Sequence, residues 1–238
     1  MFARRCLTVL CSLGCGWLFL SPLSASAQDG RPVSCRFVCM DGATPPQPML
    51  HVGGKSVEVA CPIPANNLSD PVICYAKENV ITFLTSHDRK PAATAKIPSD
   101  QHSAILVFIP APSPPSPLPW RVFVVDDSAK SFPDGGAFVA NFFSKDIRFV
   151  IGEHKVQLRP SQSHGVASPT QRDEFNMAQV VFQFQEETTW RTASESLLRF
   201  LPGMRYLICA YIDPASGRPR IATFQDRAPA PVKTPAKP

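Results

Sequence analysis

Three carboxylates stand close together in WRVFVVDDSAKSFPDGG, residues 120–136: Asp126, Asp127 and Asp134. Clustered carboxylates are what a divalent cation or an acid–base pair requires. Here a calcium ion would want more oxygen ligands at closer spacing, and Lys130 sits among the three. The expected reading is therefore structural. Asp126 and Asp127 end a strand and mark a junction between modules, with Asp127 accepting hydrogen bonds from backbone N–H groups of the loop that follows. Asp134, before Gly135-Gly136, is turn chemistry.

The other candidate groups carry even less chemistry. His51, His87, His102, His154 and His164 are scattered, and no zincin, nucleophile-elbow, phosphate-loop or dinucleotide pattern occurs. Ser86-His87-Asp88 spells a triad, but neighbours on a strand point to opposite faces and cannot line up as nucleophile, base and orienter. His51 and His154 flank glycine turns and are expected to be exposed. Glu186 and Glu187 read as a hairpin loop, with no second carboxyl across a cleft as a glycosidase needs. Trp120 and Trp190 are expected to pack at strand ends and not to form a sugar platform. No catalytic residue, cofactor-binding residue, cofactor or metal is expected.

Eight cysteines are present, three of them in the first 27 residues. The remaining five, Cys35, Cys39, Cys61, Cys74 and Cys209, have the spacing C-x3-C-x21-C-x12-C over the first four, unlike common zinc ligand sets. Cys35 and Cys39 share one strand face about 13 Å apart, too far to bond. Cys61–Cys74 is the expected disulfide, and Cys209, inside RYLICAYI, is expected to be a buried inert thiol.

The N-terminus supplies the compartment. Arg4 and Arg5 precede an apolar run from Cys6 to Leu20, and Ala25-Ser26-Ala27 follows. This is the pattern of a signal peptide cut between Ala27 and Gln28, through a Sec-type route to the periplasm or the extracellular space, where disulfides form. A twin-arginine signal, a lipoprotein cut at Cys15 and an uncleaved anchor are the variants. No later stretch is long and apolar enough to span a bilayer. Cleavage would remove two arginines and lower the net charge from +5 to +3, with no basic block, which argues against nucleic acid.

VSCRFVC, IRFVI and VVFQF alternate apolar and polar residues as half-buried strands do. AILVFI and RYLICAYI are apolar on both faces and read as central strands. SESLLRFL is the one segment that reads as a short helix. HVGGKSVEV (51–59) resembles VIGEHKVQL (150–158) at a shift of 99 residues. The same shift sets Phe83 on Phe182, Ile109 on Ile208, Val122 on Ile221 and Asp127 on Asp226. It puts Pro160 and Asp173 opposite Cys61 and Cys74, so the second copy would lack the bridge. The expected organisation is a signal peptide (1–27), module 1 (28–127), module 2 (128–226) and a disordered Pro/Ala/Lys tail (227–238). Each module is expected to be an immunoglobulin-like or transthyretin-like β-sandwich, making the chain all-β. In module 1 a closing hairpin of strands 104–109 and 120–126 is joined by PAPSPPSPLP, a polyproline loop.

RVFVVDDSAKSFPDGGAFVANF, IRFVIGEHKVQLRPSQS and PGMRYLICAYIDPASGRPRI are similar to an uncharacterised family of exported bacterial proteins with tandem immunoglobulin-like modules. The resemblance implies a compartment and a sandwich, and no activity. The function expected is a non-enzymatic envelope protein presenting sandwich edges and loops to a protein or glycan partner. The alternative is a pilus-type periplasmic chaperone, which also has two immunoglobulin-like domains. Against it, no long alternating edge strand followed by proline is found, and the basic cleft residues of that class cannot be assigned.

Overall fold

A computed structural model describes residues 30–40, 48–52, 58–111, 117–213 and 216–227. The expected cleavage site at Ala27 and Gln28, half of the proline-rich loop, the expected Gly53-Gly54 turn and nearly all of the tail lie outside the described residues. The described chain is all-β, with sixteen strands in four four-stranded sheets and no helix, an arrangement compatible with two β-sandwich domains.

The first half contributes β1 (Arg31–Cys39), β2 (Met49–Val52), β3 (Glu58–Cys61), β4 (Val72–Ala76), β5 (Val80–Leu84), β6 (Pro91–Lys96), β7 (Ser103–Pro110) and β8 (Trp120–Asp126). The second contributes β9 (Ala137–Asn141), β10 (Ile147–Ile151), β11 (His154–Leu158), β12 (Ser163–Val166), β13 (Met177–Glu186), β14 (Thr189–Arg199), β15 (Met204–Ile212) and β16 (Pro219–Arg227). The sheets run β4-β1-β7-β8 and β3-β2-β5-β6, then β12-β9-β15-β16 and β11-β10-β13-β14. Raising each strand number of the first pair by eight gives the second pair. The one parallel neighbour pair in each set, β1 with β7 and β9 with β15, is repeated too. So is the bulge, which falls after Phe83 in one half and after Phe182 in the other.

The residue shift between halves is not constant. It is 99 at Phe83/Phe182, but His51 pairs with Val59 and Phe83 as Phe149 pairs with Val156 and Phe182. His51 therefore corresponds to Phe149 and Val59 to Val156. On the central strand, Phe108 accepts from the Met40 N–H as Ala210 accepts from the Phe142 N–H, so Ile109 corresponds to Tyr211 and not to Ile208. Insertions lodge in loops, where they leave the ladders intact. Five residues separate β2 from β3, and two separate β10 from β11.

Each half has its own core. Phe37, Phe83 and Phe108 meet edge-to-face or tilted in the first, with Cys35, Cys61, Cys74 and Leu106 around them. In the second, Phe149 stacks on Phe182 at 5.4 Å among Ile147, Val180 and Ile208. A third cluster joins the halves. Val38, Ile105, Val107 and Val125 come from the β4-β1-β7-β8 sheet, and Phe138, Leu207, Cys209, Tyr211 and Phe224 from its counterpart. Period-two alternation explains why AILVFI and RYLICAYI are apolar on both faces. One face of each fills its own core, and the other packs against the opposite half.

Two expectations need correcting. SESLLRFL lies largely within β14, not in a helix, because its pairing with β13 outweighs the local helical propensity of Leu and Glu. His51 is buried, not exposed. Its Nδ1–H donates to the Thr82 carbonyl at 3.0 Å, and its Nε2 accepts the Tyr75 N–H at 3.0 Å. Tyr75 lies on the edge strand β4, and its N–H turns away from the ladder to the imidazole of the other sheet, which supplies the acceptor.

Candidate functional site

The strands that join the two halves also carry charges. On β1, Arg36 is in phase with Val38. On β15, Arg205 is in phase with Leu207, Cys209 and Tyr211. Both side chains therefore project from an otherwise apolar inter-module face. They meet Asp127, just past β8, and Asp226, near the end of β16. Arg36 Nη1 donates to Asp226 Oδ2 at 2.9 Å, its Nη2 donates to Asp226 Oδ1, and its Nε donates to the Ser69 carbonyl at 3.2 Å. Arg205 Nε donates to the same Asp226 Oδ2 at 2.8 Å, and its Nη2 donates to Asp127 Oδ1. Asp127 Oδ2 is 3.9 Å from Arg36 Nη1.

The result is a charge-balanced quartet of two guanidinium and two carboxylate groups. The side chain of Arg205 is 1% exposed, that of Asp226 2% and that of Asp127 5%, so water screens little of it. Burial pushes the Asp127 carboxyl up, against the pull of Arg205 and Arg36, and leaves it raised. Burial pulls the Arg36 guanidinium down, but its hydrogen bond to Asp226 and the charges of Asp226 and Asp127 outweigh that and leave it raised. Phe132, in the linking loop, completes the site. Its ring lies 4.0 Å under the Arg205 guanidinium, and its carbonyl accepts from Nη1 at 3.1 Å. That loop is seated by close approach. A Cβ on Gly165 would lie 2.2 Å from the Ser131 carbonyl oxygen, so only glycine fits beneath it.

The local role expected of Asp127 belongs to Asp126. Asp126 accepts from the Ser128 N–H at 3.1 Å and from the Ser128 and Ser131 hydroxyls, each at 2.7 Å. Asp127 points the other way, into the inter-module contact, because adjacent strand residues face opposite sides. Asp134 reaches further than a local turn and accepts the Gly203 N–H at 2.8 Å. Arg36 and Arg205 were missed from sequence. The available signal was a charged residue in phase with an apolar outer face, at the same time as two aspartates at equivalent strand ends.

The quartet forms the floor of a cleft of about 1230 Å³ between the halves. One wall is the Asn66–Pro71 segment between β3 and β4. The other is β16, whose Thr223, Gln225 and Arg227 line it. Among the described residues β16 is an edge strand, paired with β15 alone. Among the described residues the cleft lining contains no histidine and no cysteine, and its one aromatic residue, Phe132, is wholly buried under Arg205.

The expected Cys61–Cys74 bond is absent, although the pair is correctly juxtaposed. The two Sγ atoms are 3.9 Å apart, and all five described thiols are free and buried. Cys35 lies in the same buried cluster, so three thiols share the core of module 1. Burial pushes the Cys39 thiol up to about 11 and raises Cys209 further. In the other half, ladder positions put Leu158 opposite Cys61, not Pro160, and the β9–β12 register, extended two residues past Val166, puts Ser168 opposite Cys74, not Asp173. Among the described residues no group of three or more His, Cys, Asp or Glu is placed to hold a metal. Trp120 packs on the first core, and Trp190 lies 3.9 Å beneath the Arg148 guanidinium. Among the described residues no helix is long and apolar enough to cross a membrane. No family model matches the chain, and no curated protein matches it.

Proposed function

We propose that this is an exported, non-enzymatic binding protein whose inter-module cleft receives an extended segment of a protein partner. The observation that carries the reading is the cleft itself. One wall presents the unpaired edge of β16, together with the side chains of Thr223, Gln225 and Arg227. An edge strand offers backbone N–H and C=O groups to an incoming strand, and side chains on the facing wall then select it. A glycan would want an exposed aromatic face, and the cleft lining offers none.

The chemistry of the floor supports binding over turnover. Asp127 and Asp226 are each bound to arginine, so neither is free to act as general base. The pilus-chaperone alternative gains two arginines at the cleft that the sequence did not assign. Both are neutralised by aspartate, however, whereas capture of an anionic chain end needs an unpaired cation.

Site-specific photocrosslinking in the producing cell tests the reading. A photoreactive residue at Gln225 or Asn67 should capture an envelope protein, while one at Lys155, on another sheet, should not. Equal labelling at all three positions would refute a cleft ligand. The same preparation gives the mature N-terminus by mass spectrometry, with Gln28 expected. A captured pilin-like subunit would favour the chaperone.

A further inference from the structure

The edge strands β6 and β14 occupy the same place in the two halves but are built differently. β6 has six residues, begins with Pro91 and is largely alanine. A short edge blunted by proline is a common device against strand addition. β14 has eleven residues and no proline, and β13 is its sole hydrogen-bonded strand partner among the described residues. Only four large hydrophobic side chains are exposed in the described chain, and the two most exposed flank this edge. Leu197, on β14, is 58% exposed, and Phe175, just before β13, is 61% exposed. They lie near the same end, because Met177 pairs with Arg199 and the Phe200 N–H bonds the Asn176 carbonyl.

Charge and register then select the occupant. Leu197 shares the outer face with Glu195 and Arg199, two residues to either side. When two copies of β14 align antiparallel about Leu197, Leu197 meets its twin. Glu195 of each copy then stands opposite Arg199 of the other, so the pairing is twofold symmetric and both cross-strand ion pairs are of opposite sign. Centring on Glu195 would set Glu195 against Glu195 and Arg191 against Arg199, which repel. We infer that the β14 edge is a self-association surface on which a second copy of this chain pairs antiparallel about Leu197, merging two β11-β10-β13-β14 sheets into one of eight strands. β14 touches β16, a wall of the cleft, but Glu195, Leu197 and Arg199 are not among the described residues that line it, and neither proposal depends on the other.

Sedimentation of the mature protein over a concentration series tests this, with circular dichroism to confirm that each variant is folded. The wild type should be a concentration-dependent dimer. Glu195→Arg turns both cross-strand pairs repulsive and should raise the dimer Kd about tenfold. Leu197→Lys should do so at least as strongly. The double exchange Glu195→Arg with Arg199→Glu should restore the wild-type Kd, a rescue that follows only from this register. A wild type that stays monomeric would overturn the inference, as would a dimer indifferent to Leu197→Lys or a double exchange that fails to rescue. A monomer whose β14 edge crosslinks to a different protein would overturn it as well.

Discussion

Replacing Asp127 by alanine separates a local cap from an inter-module ion network. The substitution removes one carboxylate from a quartet of two positive and two negative groups and leaves an excess positive charge where side chains are 1–14% exposed. Removing one partner of a buried ion pair costs about 3–5 kcal/mol. Arg205 would keep Asp226 at 2.8 Å, the Phe132 carbonyl at 3.1 Å and the Phe132 ring, which places the expected loss near the lower end, about 3 kcal/mol. Asp126→Ala removes bonds to one backbone N–H and two serine hydroxyls at a part-buried position, and should cost about 1 kcal/mol. Urea unfolding at neutral pH measures both. A chain of two cores need not unfold in one step, so the curves should be followed by near-ultraviolet and far-ultraviolet signals together. For Asp127→Ala the two signals should separate, because the lost contact is one of those that join the halves, beside the apolar cluster. A loss under about 1 kcal/mol with coincident transitions would refute the network and restore the local role.

Other expectations follow from the same geometry. His51→Phe copies the residue at the corresponding position, Phe149, yet should destabilise by about 1–2 kcal/mol in urea, because the Tyr75 N–H loses its acceptor. A neutral result would show that water replaces the imidazole. Glu153 accepts from the N–H groups of Thr170 and Gln171 and from the Thr170 hydroxyl, which holds its carboxyl at about 2, below the ordinary 4.5. The folded-state pKa is depressed, so the stability this group adds is present above 4.5 and is lost as the pH falls from there toward 2. A carboxyl titration by NMR with a midpoint near 4.5 would contradict it. The five buried thiols should resist a disulfide reagent in the native protein, and all five should react in denaturant. Three reactive thiols in denaturant would reveal a bridge.

Much of the fold was legible in the sequence. Period-two runs such as IRFVI and VVFQF became β10 and part of β13, and the expected hairpin around the proline-rich loop appears as β7 and β8. The Phe83/Phe182 and Asp127/Asp226 correspondences hold, the second because the link between β15 and β16 is three residues shorter than that between β7 and β8, which restores the shift of 99. The shift failed at Ile109 and in the β2–β3 hairpin, where loops of different length intervene. β14 was misread because eleven edge residues, mostly polar and exposed, carry little alternation, and only pairing with β13 makes them a strand.

The candidate site was the least legible part. Asp126 and Asp127 were visible as a cluster, but the sequence could not say which one turned toward the other half. A one-residue difference in phase decides that, and phase is fixed by the sheet. Arg36 and Arg205 looked like ordinary charges in apolar strands. Only the packing of two sheets face to face brings residues 36, 127, 205 and 226 within hydrogen-bonding reach and removes the water that would otherwise solvate them. Local alternation is written in the chain, but desolvation of a charge depends on what lies across the interface, and that is a property of the folded molecule alone.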